Sequence, residues 1–153
     1  MAEQKGGFAQ IVSFVTKDGH QSFEEIGDDV KTVVQTRGNL YRHATIHKID
    51  KKKQVCRLTF RRGVYANTDT IIYAALDQEW PLEDRKTIKR TDELRLGDKL
   101  QCVDGIVPRW EIIGIEPPEE EVDVWSVEVD DGDSFVLRNT IPTMSLEVGE
   151  ADD

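Results

Sequence analysis

Cysteine is almost absent from this chain, and what there is cannot build a site by spacing. Only Cys56 and Cys102 occur in 153 residues. With no Cys-x-x-Cys pair, neither a zinc site nor a disulfide framework is indicated, and reduced, buried thiols are expected. Long apolar runs are also missing. None approaches the roughly 18 residues of a membrane span, and no basic-then-apolar leader opens the chain. A soluble, cytoplasmic protein is the expectation. No glycine-rich phosphate loop occurs. The three histidines, His20, His43 and His47, offer no metal site. His43 and His47 would share a helix face, but their segment reads as a strand, where four residues span about 13 Å, too far for one ion. Asp130-Asp131-Gly132-Asp133 lacks the alternating acids and the closing glutamate of a calcium loop. It reads as a turn, so no metal and no cofactor is expected.

What is present is short and punctuated. Turn signals fall every eight to twelve residues or so, with no long helical period, the pattern of an all-β barrel or sandwich-like body. Ile11–Val15 leads into Lys17-Asp18-Gly19, a hairpin signal. Leu40–Ile49 and Val55–Phe60, joined by the charged Asp50–Gln54, predict a second hairpin. Thr70–Leu76 is apolar enough for a buried strand. Asp77–Arg90 reads as a polar loop anchored by Trp80, and Asp92-Glu93-Leu94 as one helical turn. Lys99–Val103, Arg109–Ile115, Val122–Val129 and Ser134–Leu137 complete the strands. With 38% hydrophobic residues, a chain of this length makes one domain, burying about 68–70% of its unfolded surface. Residues 1–6 read as a loose lead, 7–145 as the single domain and 146–153 as an acidic tail.

The chain also repeats itself. Thr91–Val103 echoes Ser22–Val34, each with acids before an apolar residue, then Gly-Asp, then an alternating run. Ile46–Ile49 matches Ile112–Ile115, and Asn67-Thr68 matches Asn139-Thr140. Two related halves in one chain are therefore expected.

Charge is uneven. The net value is -10, yet from Arg37 to Arg62 nine Lys or Arg face the single Asp50, and from Glu116 to Asp153 thirteen acids face the single Arg138. Either the two segments meet each other or are simply solvated, or the basic one meets an anionic partner. In the last case Arg42, Lys51, Lys52, Lys53, Arg57, Arg61 and Arg62 would contact nucleic acid. No stacking motif accompanies them.

The early strand and Asp-Gly turn, the EEI-GDDV segment, the strand ending ANTDTIIYA, the Trp80 loop, ELRLGDKL and the closing VDVWSVEVDDGDSFVLRNTIPT together resemble the Hint domain of inteins and hedgehog autoprocessing proteins. The resemblance runs from about Gly6 to Ser145. It implies an all-β horseshoe with pseudo-two-fold halves, and a chain that cleaves its own backbone. In that family a Cys or Ser at the first position shifts the upstream peptide to an ester or thioester. A Thr-x-x-His segment polarises the bond, and a terminal His-Asn before a Cys, Ser or Thr releases the domain by Asn cyclisation. Ser145 apart, the equivalent positions here depart from the pattern. Gly7 (or Gly6) stands at the nucleophile, and Asn67 and Thr70 stand at the ends of the Thr-x-x-His segment. Asp133 lies near the acid or imidazole that precedes the Phe-Val strand. Thr143, Met144 and Ser145 replace His, Asn and the downstream nucleophile, leaving Ser145 the one suitable group. Because Thr and Met are unusual choices for deliberate inactivation, natural loss is favoured. The expectation is a silent Hint domain acting as a structural or protein-interaction module. The alternatives are an autoprocessing protein whose reactive residues were replaced, and a nucleic-acid-binding barrel.

Overall fold

The computed structural model describes residues 6–26, 28–37, 40–62, 69–84, 86–101, 109–118, 120–138 and 141–146. The chain forms β1 (Phe8–Ala9), β2 (Ser13–Thr16), β3 (Gly19–Ser22), α1 (Phe23–Ile26), β4 (Val30–Gln35), β5 (Tyr41–Lys48), β6 (Lys53–Arg62) and β7 (Thr70–Ala75). There follow β8 (Glu79–Pro81), β9 (Ile88–Arg90), a 3-10 turn at Thr91–Glu93, β10 (Trp110–Ile115), β11 (Glu121–Val122), β12 (Val124–Val129), β13 (Ser134–Leu137) and β14 (Ile141–Met144). The all-β expectation holds. Apart from the β8–β9 pair, the strands join one antiparallel sheet in the order β10-β6-β7-β1-β12-β5-β4-β2-β13-β14, with β3 on β2 and β11 on β6. Among the described residues no helix is long and apolar enough to cross a membrane.

The core is built on phenylalanine. All five Phe of the sequence, Phe8, Phe14, Phe23, Phe60 and Phe135, are fully buried, and Phe8 is their hub. It stacks on Phe23 (6.2 Å) and meets Trp80 (5.8 Å) and Phe135 (6.0 Å) edge-on. Each such pair contributes about 0.5–1.5 kcal/mol beyond its buried area. A two-residue strand is thereby fixed at the centre of the sheet, and with it the glycines that precede Phe8. A smaller cluster of Ile49, Val55, Val124 and Leu146 lies apart from this core.

The repeat has a structural counterpart. The Glu25 carboxylate accepts the Ser22 N–H (2.9 Å) and the Glu93 carboxylate the Arg90 N–H (2.9 Å), so each copy opens on a helical turn capped from inside. Each then donates to the matching isoleucine, Asp29 N–H to Ile46 O (2.7 Å) and Gly97 N–H to Ile112 O (2.8 Å).

Three expectations need correction. The hairpin of Leu40–Ile49 with Val55–Phe60 does not form. β5 is occupied on one edge by β4 and on the other by β12, while β6 pairs with β7 and β10. Sequence adjacency loses because Phe8 draws β1 between β7 and β12, which separates the two runs. The Asp77–Arg90 loop contains a small hairpin, Trp80 opposite Lys89, although Trp80 is the buried anchor expected of it, its Nε1 donating to Thr91 Oγ1 (3.0 Å). The first long strand begins at Ser13, since Ile11 and Val12 lie in a turn. Asn67, Cys102 and Asn139-Thr140 lie outside the described residues.

Asp84 closes the β8–β9 hairpin. Its carboxylate accepts the Thr87 hydroxyl (2.5 Å) and the backbone N–H groups of Thr87 (2.8 Å) and Lys86 (2.9 Å). These bonds, the Thr87 hydroxyl first, hold its pKa down at about 2. A depressed folded value means a contribution present above the unfolded value of 3.8 and lost as pH falls through about 2. Thr87→Val is expected to raise the Asp84 midpoint in a carboxyl NMR titration; an unchanged midpoint would remove the hydroxyl from this account.

Candidate functional site

The start and the end of the described chain meet at one side chain, Gln78. β7 carries the chain past β1 to Ala75, whose N–H donates to the Gly7 carbonyl (2.9 Å), and a turn closed by Gln78 N–H on Ala75 O (3.1 Å) sends the Gln78 side chain inward. There it is 2% exposed. Its Oε1 accepts the Gly7 N–H (2.8 Å), and its Nε2 donates to Thr143 Oγ1 (2.8 Å), to the Met144 carbonyl (2.8 Å) and more distantly to Glu79 O (3.3 Å). Thr143 Oγ1 in turn donates to Glu79 O (2.9 Å). Only one orientation of the carboxamide fits, because a flip would set NH₂ against the Gly7 N–H and oxygen against the Met144 carbonyl.

The Gly6–Gly7 peptide is also held from its other side. Lys53 Nζ donates to the Gly6 carbonyl (3.0 Å) and to the Asp77 carboxylate (3.1 Å). The ammonium polarises this carbonyl while Gln78 holds the adjoining N–H. Among the described residues no attacking group is placed on this peptide. A Cβ on Gly7 would lie 2.8 Å from Val124 Cγ2, and one on Gly6 would lie 2.3 Å from Gln78 Oε1. Their φ values of +130° and +78° are ones L-residues rarely adopt. The Thr143 hydroxyl is engaged both as donor and as acceptor. Cys56 sits two strands away, opposite Ala74, which is opposite Phe8. Burial, helped by the Asp92 carboxylate, pushes its thiol above the ordinary value, so it stays protonated at neutral pH and is a poor nucleophile.

Of the residues singled out in the sequence, the structure brings together Gly7, Thr143 and Met144. Thr70 is not with them. It opens β7 opposite Phe60, five residues from Ala75, or about 16 Å along the strand. Asp133 turns its half-exposed carboxylate to Arg37 (2.8 Å), and only its carbonyl reaches the chain end, accepting the Ser145 N–H (2.9 Å). Gln78 was not legible in advance, and Lys53 was legible only as a member of the basic run. The available signal was the spacing Ala75-x-x-Gln78 just after a buried strand, since a carboxamide, like a neutral imidazole, offers an acceptor and a donor.

The basic and acidic segments do face each other. Arg37 pairs with Asp133 (2.8 Å), His47 with Glu128 (2.9 Å), Lys48 with Asp123 (3.5 Å) and Arg57 with Glu116 (3.7 Å). Arg61 chelates Asp69, and Arg62 lies over the Trp110 ring at 5.0 Å. Arg42, Lys51 and Lys52 are exposed. Half-exposed pairs of this kind contribute roughly 0–1 kcal/mol each, so they record how the segments lie more than what holds them.

No protein-family model and no curated protein sequence matches the chain. Solved structures do resemble it. A variant of the Ssp DnaB mini-intein is similar over 98% of this chain and 99% of its own, with 16% identity and a TM-score of 0.71. A DnaB intein from Synechocystis covers 92% of this chain and 98% of its own at 17% identity and a TM-score of 0.69. A bacterial intein-like domain from Clostridium thermocellum covers 95% and 99% at 16% identity and a TM-score of 0.64. At such identities the likeness is one of fold, and the fold of this chain is the Hint fold of inteins.

Proposed function

We propose that this chain is an intein-like domain that no longer cleaves itself and persists as a structural or protein-interaction module. One observation carries the reading: the Gly6–Gly7 peptide is gripped at its oxygen by Lys53 and at its N–H by Gln78, yet among the described residues it faces no nucleophile, and neither glycine has room for a side chain. Within this reading the place of the family's Thr-x-x-His segment falls to Gln78 rather than to Thr70, because Gln78 is the side chain on the peptide N–H. A neutral carboxamide holds an amide but cannot pass it a proton, which acyl transfer to a side chain requires when the amine leaves. Thr143 and Met144, at the places of His and Asn, likewise have no carboxamide to cyclise. The same network that would have served cleavage here ties the chain's entry to its exit.

The test places the chain between two reporter domains of different mass and incubates it with and without a thiol. A single full-length band after a day is expected. Ligated reporters or cleaved fragments that disappear on Ser145→Ala would overturn the reading in favour of an active autoprocessing protein.

A further inference from the structure

One edge of β7 is only partly used. All six of its residues pair with β6, from Val55 opposite Ala75 to Phe60 opposite Thr70. Among the described residues its other edge meets a strand only where Phe8 faces Ala74, because the chain leaves β1 in a turn closed by Val12 N–H on Ala9 O (3.0 Å). In an antiparallel ladder alternate residues direct their N–H and C=O to alternate edges. Ala75 donates toward Gly7, so the backbone of Ile71, four residues away, faces the same side, and among the described residues no strand lies against it.

That edge is one wall of a groove. Ile11, Val12, Ser13 and Arg138 line it too. Ile11 and Ile71 are 59% and 45% exposed. Asp69, also at the groove, gives its carboxylate to Arg61, whereas Arg138 has no carboxylate partner among the described residues. The volume of about 290 Å³ lies at the foot of the roughly 300–1,000 Å³ of ligand clefts, too little for a nucleotide cofactor. An unpaired strand edge, flanking apolar side chains and one unmatched cation together suit an extended polypeptide carrying an acid.

We propose that this groove docks an extended segment of a partner protein, added to β7 as an antiparallel strand, with an apolar side chain against Ile11 and Ile71 and an acidic one against Arg138. A second copy of the chain is disfavoured as occupant by the net charge of -10. The proposal deepens, and rests on, the reading of the chain as an interaction module. Its failure is separable from the failure of that reading, since self-cleavage appears as new bands on a gel whether or not a peptide binds.

The probe is an acetylated, amidated nonapeptide of alternating valine and threonine with a central glutamate, titrated into the full chain and followed by amide NMR. Saturable shifts at Ile71 and Tyr73 are expected, with slowed exchange of the Ile71 amide. Arg138→Glu should weaken binding about tenfold, and a lysine-centred peptide should recover most of the loss on that variant. Arg138 is exposed, and circular dichroism checks that the variant folds. No saturable shift at millimolar peptide, equal binding of a proline-centred peptide, or shifts that depend on protein concentration without peptide would each overturn the proposal.

Discussion

Gln78→Leu is expected to destabilise the fold by about 4 kcal/mol, lowering the midpoint of thermal unfolding by roughly 10 °C. Leucine matches glutamine in bulk, so the change opens little cavity. What it removes is the partner of three groups at once. The Gly7 N–H and the Met144 carbonyl lose their hydrogen bonds in a buried place, and Thr143 Oγ1 loses its donor while keeping Glu79 O. Leaving a buried polar group unsatisfied costs about 1–3 kcal/mol, which outweighs the transfer gain of the added methyl groups. Thr143→Val removes one arm of the network and should cost about 1.5 kcal/mol. The two measured together separate a clasp from a side chain that is merely well placed. A loss under 1 kcal/mol for Gln78→Leu, by urea and thermal melts alike, would show that the ends are held by something else.

The strands that could be read from the sequence are those whose local pattern and tertiary role agree. Val122–Val129 alternates because β12 carries Val127 and Val129 to the main core and Val124 to the smaller cluster. Ser134–Leu137 is apolar because every side chain of β13 is buried. The repeat was legible because both copies solve the same local problem, capping a short turn with a glutamate. Strand pairing was not. Nothing in Leu40–Phe60 announces that β1 and β12 belong in line between its two halves, since that order is decided by Phe8, more than thirty residues upstream. For the candidate site the same division holds. Gly7, Thr143 and Met144 were reachable through the family pattern, which marks chain ends. Gln78 has no motif, and its importance lies in partners 71, 65 and 66 residues away, a separation over which sequence alone carries no pairing information.

Restoring a nucleophile by Gly7→Cys is expected to cost about 3 kcal/mol and to yield no thioester. The cost has two sources. A φ of +130° is open to glycine and strained for any L-residue by about 1–3 kcal/mol. The new Cβ would also lie 2.8 and 2.9 Å from the Val124 side chain, overpacking that typically costs another 1–3 kcal/mol where the neighbour cannot fully withdraw. Val124 is fully buried beside Ile49, so little withdrawal is available. Gly7→Ala should cost nearly as much, because the penalty begins at Cβ, and Val124→Ala in the same chain should recover about half of the packing part but none of the backbone part. The informative chemical variant adds Gln78→His to Gly7→Cys, since a histidine at Thr70 would begin about 16 Å along the strand from the bond it must act on. A reporter fused upstream and released by thiol, together with a melting midpoint equal to that of the parent, would show that the backbone at Gly7 accepts a side chain and that the proposed loss of cleavage is a matter of missing groups alone. Loss of stability with no release would place the block in the glycine backbone itself, where no single added functional group restores cleavage.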